Sequence, residues 1–331
     1  MKKDRLVSGM RPTGKLHIGH WQGALVNWVG LQDKYDCFYF VADWHALTTK
    51  YSDVSNLMDD GLEMVADWLA LGIDYKKSVI FQQSMVKSHS ELFLLLSMIT
   101  PLSWLERCPT YKDQIKELAG SADSEVSNLG FLAYPVLQTA DIILYDAKVV
   151  PVGEDQLPHL ELTREIVRRF QHIYNTEIFV EPQALLTKTP RLLGTDGRKM
   201  SKSYNNSIYL SDSALEIEQK VRAMITDETR IKATDLGHPD ICSVFYLQEI
   251  FNTDEVNEIK ANCEAGKIGC VQCKKRLAAV LQTKLAPVRE KREEFLKDKD
   301  FLMDILREGS KKATIIADET LAKVKKVMNV F

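Results

Sequence analysis

The sequence predicts an α/β protein with a parallel sheet, followed by an all-helical C-terminal domain. Three observations carry this. Up to about residue 205, short apolar runs alternate with amphipathic helical stretches, the pattern that lays helices on both faces of a parallel sheet. Glycine-bearing turns follow two of those runs, at Gly9–Gly14 and at Gly153, where strand passes into helix. Beyond Asn206 the helical period dominates and no strand is legible. The expected division is therefore 1–205 and 206–331, with the boundary near Tyr204–Leu210.

In chain order, the Leu6-Val7 run breaks at Gly9 and a turn follows at Arg11-Pro12-Thr13-Gly14. His17 and His20 then stand three residues apart, on one face of a first helical turn. Backbone N–H groups and the positive helix end point at whatever lies above such a turn, so the site invites an anion, foremost a phosphate. Trp21–Leu31 reads as a helix and Cys37–Asp43, short, aromatic and β-branched, as a buried strand. Met58, Leu62, Val65 and Leu69 fall on one face of a helix over Ser55–Leu71, closed by Gly72. Ser78–Gln82 is a second strand and Leu92–Ile99 an apolar helix. Residues 113–130 are polar and small, an excursion from the core that either carries a partner contact or is plain surface.

Tyr134–Tyr145 reads as a helix with a polar stripe of Tyr134, Gln138, Asp141 and Tyr145. A carboxylate on so apolar a helix needs a partner. The residues alone leave open whether that partner is a structural ion pair or a ligand. Val149–Val152 is a strand; Gly153-Glu154-Asp155-Gln156 and a helix through Phe170 follow, with Pro158 in its first turn. This places Asp155 and Gln156 at the sheet edge that the first loop occupies. Gly194–Ser203 is a mobile cationic loop carrying Lys199, Ser201, Lys202 and Ser203. Alone it is a solvated basic loop; with a phosphate site upstream it reads as a polyphosphate clamp. Ser213 and Glu216 form a capping box, and further helices cover Leu277–Leu296 and Lys311–Met328.

A net charge of −3 speaks against a sequence-independent nucleic-acid coat, yet the charge is uneven. Residues 261–331 hold 16 Lys and Arg against 10 Asp and Glu, whereas the rest holds 27 against 36. The basic C-terminal part permits a local nucleic-acid contact, although a solvated helical surface explains it equally well. No long apolar region follows the N-terminal lysines, and no apolar stretch approaches the ~18 residues of a membrane span. Six cysteines, four of them clustered, suit a metal site in a reducing compartment better than a secreted disulfide scaffold. The expected location is the cytoplasm, with no membrane partner.

HIGH at His17–His20 and KMSKS at Lys199–Ser203, in that order, resemble the two signatures of class I aminoacyl-tRNA synthetases. YPVLQTADIILY and VPVGEDQLPHLELTREI resemble the tryptophanyl branch, and the likeness runs from Leu6 to Phe331. It implies a Rossmann-like nucleotide-binding sheet with a C-terminal helical anticodon-binding domain, in a homodimer. The implied reaction joins L-tryptophan to ATP, releases pyrophosphate, and transfers tryptophan to tRNA(Trp), with Mg²⁺ assisting.

By the same resemblance His17, His20, Lys199 and Lys202 are the catalytic set. Arg11, Pro12 and Thr13 line the ATP site, Gly19 admits the adenosine, and Leu192 touches the adenine. Gly153, Glu154 and Asp155 hold the ribose, while Met200, Ser201 and Ser203 complete the phosphate loop. Asp141 faces the indole N–H, and Tyr134, Gln138 and Gln156 handle the α-ammonium. Many tryptophanyl enzymes carry Met where this chain has Gln138. The alternatives are the tyrosyl branch, or a synthetase-like RNA-binding regulator with a dead site.

Cys242, Cys263, Cys270 and Cys273 follow a C-x20-C-x6-C-x2-C pattern. On the residues alone, reduced core cysteines and a Cys₄ zinc site are both open. The pattern is similar to that of a subset of tryptophanyl enzymes with a [4Fe–4S] cluster in the anticodon-binding region, although the first gap is two residues shorter here. That resemblance implies a cluster held by the four thiolates.

Overall fold

The computed structural model describes residues 3–108, 128–186 and 192–330. Most of the 113–130 excursion lies outside them, and only Asn128–Gly130 can be placed. Contacts divide the chain into two compact units: Met1–Gly14 with Asn27–Lys188 and Asp298–Phe331, and Lys15–Val26 with Thr189–Lys297. This differs from one cut near residue 205, because the helix after the first loop groups with the later segment and the last helix groups with the sheet.

The first unit is a five-stranded parallel sheet, β1 (Arg5–Met10), β2 (Asp36–Val41), β3 (Val79–Gln82), β4 (Val149–Val152) and β5 (Gln183–Leu186), ordered β3-β2-β1-β4-β5. Four of the five follow from the sequence reading. β5 was not expected: QALL is neither β-branched nor buried, and it exists because Gln183–Leu186 pairs in parallel register with Val149–Val152. Strand order reverses between β1 and β4, which pair through Leu6 and Val149. A crevice at such a reversal, beyond the carboxyl ends of the strands, is where ligands bind in open α/β sheets. The segments issuing there are Arg11–Gly14 and Gly153–Gln156.

Small residues in the last helix, Lys299–Met328, explain why it belongs to this unit. A Cβ on Gly309 would lie 1.8 Å from the Ile80 carbonyl oxygen, so only glycine lets the helix backbone reach β3. The neighbouring Ser310 hydroxyl accepts from the Gln82 N–H at 3.3 Å, which satisfies a donor on an edge strand. Ala313 and Ala317 are fully buried in the main core with Phe81, Leu92 and Phe170. The sequence reading recognised the helix from Lys311 onward and missed the turn at 309–310 that docks it.

The second unit packs helices Ala214–Ala223, Ser243–Phe251, Val256–Glu264 and Cys270–Leu296 around Ile217, Val221, Leu247, Leu277 and Leu281. The Ser213/Glu216 capping box forms as expected. Lys274 closes the other end of that helix, donating to the carbonyls of Arg222 at 3.0 Å and Met224 at 2.6 Å.

Candidate active site

The HIGH tetrapeptide is built by its own histidines. His17 is the N-cap of the helix Ile18–His20, and its Nδ1 accepts the Gly19 N–H at 3.1 Å. His20 reaches back, its Nδ1 accepting the His17 N–H at 3.2 Å, so the pair forms a capping box with rings 3.8 Å apart. With both Nδ1 atoms used as acceptors, each neutral imidazole carries its proton on Nε2. Burial, with the charges of Lys202 and Lys199 adding to it, pushes His17 down to about 4. Burial holds His20 well below the ordinary histidine range too, helped by the charges of His17 and Lys202. Both therefore offer neutral N–H donors and are poor acid–base groups at neutral pH. A Cβ on Gly19 would meet His17 Nδ1 at 2.7 Å, which gives that glycine a structural reason of its own. The helix then widens into a π turn over Trp21–Leu25, a device that recurs at functional sites.

The KMSKS loop belongs to the same compact unit. Backbone bonds tie it down: Ile18 N–H to the Ile208 carbonyl at 3.0 Å and Leu210 N–H to the Leu16 carbonyl at 2.9 Å. Ahead of the loop, Met200 N–H pairs with the buried Leu192 through its carbonyl at 2.8 Å, and Gly194 N–H with the Arg198 carbonyl at 2.7 Å. The tip turns at Gly197, whose φ of 74° lies in the left-handed region. Asn206 fastens the whole. Its side chain accepts from Ser201 N–H at 2.8 Å and donates to Asp196 at 2.7 Å and to the Lys199 carbonyl at 3.1 Å. Met200 is buried, Lys199 and Ser203 are exposed, and Ser201 and Lys202 are half-buried.

In the sheet unit, Asp141 is 1% exposed and fully engaged. His45 Nε2 lies 2.7 Å from Oδ2, His89 Nδ1 lies 2.6 Å from Oδ1, and the Gln83 amide donates to both oxygens at 2.8 and 2.9 Å. Burial raises its pKa, but the two histidines outweigh that and hold it at about 2. His45, with 12% of its side chain exposed, is the partner nearest to solvent, while His89 has none. Tyr145, beyond the end of helix Leu129–Ile143, is drawn into the same cluster by its 2.6 Å bond to His89 Nε2.

Half-buried Tyr134 and Gln138 lie on that helix. The Tyr134 hydroxyl meets His159 Nε2 at 2.9 Å. Tyr134 also stands on the wall of an apolar cavity of about 800 Å³, with Trp44, Leu47, Phe93 and Leu137. At the mouth of β4, Gly153 enters a short 3-10 turn over Glu154–Gln156, where Gln156 donates to Asp155 at 2.9 Å. At the mouth of β1, Arg11 is exposed, Pro12 buried and Thr13 half-buried.

The comparisons with known proteins settle the family. The family described as tRNA synthetases class I (W and Y) matches residues 1–286. The chain is 51% identical over 328 residues to a tryptophan–tRNA ligase of Thermotoga maritima, covering 98% of this chain and 99% of that one. It is 45% identical to the Aquifex aeolicus protein of the same name over 98% of this chain and 99% of the relative. The structure is similar to the Campylobacter jejuni tryptophanyl-tRNA synthetase solved with ADP and tryptophan, with a TM-score of 0.88 and 34% identity over 98% and 100% of the two chains. The chain belongs to the class I tRNA synthetases of the W and Y group.

Sequence reasoning about this synthetase missed His45, Gln83, His89, His159 and Asn206. His45 and Gln83 stand just beyond the ends of β2 and β3, a position that marks ligand-edge residues once the sheet is known. His89, His159 and Asn206 carry no local pattern.

The four clustered cysteines all lie in the second unit. Arg230 Nη1 is 3.8 Å from Cys263 Sγ and 4.0 Å from Cys270 Sγ, and the Gln248 amide is 3.7 Å from Cys273 Sγ. Burial raises the Cys273 thiol to about 11, with Cys242, Cys263 and Cys270 adding to it, so the four are electrostatic neighbours. Among the described residues, however, no group of three or more His, Cys, Asp or Glu is arranged to hold a metal ion. No helix among them is long and apolar enough to cross a membrane.

Proposed function

We propose that the chain activates L-tryptophan with ATP, forming tryptophanyl-adenylate and pyrophosphate, and then esterifies tRNA(Trp). The observation that carries this is the pairing, within one compact unit, of two neutral Nε2–H donors with two lysines. As the tryptophan carboxylate attacks the α-phosphorus, the bond to the bridging oxygen breaks and charge grows on the phosphate oxygens. Little covalent work falls to the protein; positioning and charge stabilisation supply the acceleration. His17 and His20 donate to phosphate oxygens without giving up a proton. Lys199 and Lys202 meet the β- and γ-phosphates, with Met200 buried beneath them and Ser201 and Ser203 beside them. Mg²⁺, when bound, neutralises the pyrophosphate leaving group.

For the nucleoside we assign Arg11, Pro12, Thr13 and Gly19, with Gly153, Glu154 and Asp155 at the ribose and Leu192 at the adenine. For tryptophan we assign Asp141 to the indole N–H, and Tyr134, Gln138 and Gln156 to the α-ammonium. Three donors, His45, His89 and Gln83, already hold the Asp141 oxygens, and we assign His45, the one with access to solvent, as the partner that the indole N–H displaces. A buried acceptor that requires this donor rejects phenylalanine. Charging of tRNA(Trp) with labelled tryptophan tests the function; a folded protein that binds tRNA but forms no ester would be the inactive regulator instead.

Residues 206–331 carry the anticodon-binding part, the chain acts as a cytoplasmic homodimer, and Cys242, Cys263, Cys270 and Cys273 hold a [4Fe–4S] cluster. What supports it is the chemistry of four thiols in one unit, with the Arg230 guanidinium and the Gln248 amide near sulfur to offset thiolate charge; among the described residues the thiols are not arranged to hold a metal ion, so the cluster requires them to draw together. Anaerobic purification decides this by iron and sulfide content. Four irons and four sulfides per chain, lost in Cys270→Ser, support the cluster; zinc alone, or no metal, refutes it.

A further inference from the structure

Asp141 is also held by a buried pair, His89 and Tyr145, that none of the assignments above uses. His89 is fully buried, its Nδ1 lies 2.6 Å from Asp141 Oδ1, and its Nε2 lies 2.6 Å from the Tyr145 hydroxyl. Tyr145 is fully buried too. Its ring stacks on Phe38 with centroids 5.2 Å apart, and Arg5 Nη1 donates to its carbonyl at 3.0 Å. Phe81 stands 6.0 Å from the His89 ring and 5.4 Å from the Tyr145 ring, so both pack against one apolar wall. An ionised carboxylate only accepts, and His89 Nδ1 therefore carries a proton. Burial pushes the Tyr145 phenol well above its ordinary range, with the charges of Asp141 and Asp318 adding to it, so the O–H stays intact and donates to Nε2 of the neutral ring. The hydrogen bonds then run one way, from phenol to imidazole to carboxylate.

A carboxylate needs such a hold because its own torsion is soft: χ2 of Asp has no sharp staggered wells. The donors around Asp141 are not equivalent. Gln83 shares one amide nitrogen between both oxygens, at 2.8 and 2.9 Å, and a shared bond does little against a tilt of the carboxylate plane. His45 holds Oδ2 at 2.7 Å and is the partner assigned above to give way to the indole N–H. His89 grips Oδ1 from a ring engaged at both nitrogens. Once His45 has given way, that grip keeps Oδ2 aimed where the His45 nitrogen stood. Burial works against the ionised carboxylate, and the bond from His89 works for it. We infer that His89, backed by the Tyr145 hydroxyl, is a positioning residue for tryptophan selection, fixing the plane of the Asp141 carboxylate so that one oxygen meets the indole N–H. The role rests on the assignment of Asp141 to the indole.

The test compares, by calorimetry on the whole chain, the binding of tryptophan with that of β-(3-benzothienyl)alanine, in which sulfur replaces the indole N–H. In His89→Leu the preference for tryptophan should fall at least ~10-fold, the scale of the hydrogen bond to a charged group that a misaimed carboxylate forfeits. The loss should fall on tryptophan, whereas the KM for ATP in pyrophosphate exchange should stay within about twofold of the parent, since no phosphate contact is touched. His89→Asn, whose amide nitrogen can stand where Nδ1 stood, should keep most of the preference. His89→Gln, whose amide stands at the Nε2 end, should behave like His89→Leu and serves if the latter does not fold. Tyr145→Phe should lower the preference less, and adding it to the His89 change should cost nothing more. Equal losses for the two ligands, additive losses in the double variant, or an unchanged preference in the His89 variants while Asp141→Ala narrows it, would overturn the inference and leave the Asp141 assignment standing. A preference unchanged in Asp141→Ala itself would remove both.

Discussion

His17 and His20 cap one helix end through each other: each Nδ1 accepts a backbone N–H of the turn, at 3.1 and 3.2 Å, and each Nε2 is left as the donor. The motif thus fixes its own tautomers before any ligand arrives. Nitrogen-detected NMR of labelled protein should find both rings neutral with the proton on Nε2. Burial and the nearby lysines hold His17 at about 4. The unfolded chain therefore takes up the proton first as pH falls, and His17 contributes a loss of stability between about 6.5 and 4 that is absent above that window. A His17 resonance titrating near 6.5 in the folded protein would refute this reading.

Gly19 has no room for a side chain, because a Cβ would stand 2.7 Å from His17 Nδ1. Gly19→Ala should push the His17 ring off its cap. Pyrophosphate exchange should fall by at least ~10²-fold, the scale of one misplaced transition-state donor, while the far-ultraviolet circular dichroism stays unchanged.

Lys202→Ala should likewise lower adenylate formation by at least ~10²-fold, the scale of one lost transition-state contact. Asn206→Ala acts on the same loop without touching phosphate, since its amide holds Ser201, Asp196 and Lys199 in place. It should raise the KM for ATP several-fold and add little to the Lys202→Ala defect. Fully additive losses in the double variant would mean that Asn206 acts elsewhere.

Asp141 joins specificity to stability. Held at about 2 by His45 and His89, it contributes stability that is present above its unfolded value near 4 and lost as pH falls toward 2. The contribution is about 2 kcal/mol by the size of the shift. In Asp141→Asn, denaturant midpoints should lose that part of their acid dependence. Asp141→Ala should narrow the preference for tryptophan over phenylalanine; an unchanged preference would contradict the assignment to the indole.

The legible parts of this chain were those that local rules govern. β1, β2, β3 and β4 announced themselves as short apolar runs, and the Ser213/Glu216 cap appeared where the S-x-x-E spacing placed it. β5 was illegible because only its pairing with β4 makes QALL a strand. The last helix showed its period but not its destination, which depends on Gly309 meeting the Ile80 carbonyl some 230 residues earlier in the chain. The site shows the same contrast. HIGH and KMSKS are contiguous signatures, whereas the partners of Asp141 come from the ends of two other strands and a separate helix. Its carboxylate could be read as needing a partner; that it has three could not.

The amino acid that drives ATP–pyrophosphate exchange in the purified protein is the most direct test of this function. Measured across all twenty amino acids, exchange should depend on tryptophan, with tyrosine and phenylalanine at background. Exchange driven by tyrosine and not tryptophan, or none with any amino acid, would contradict it.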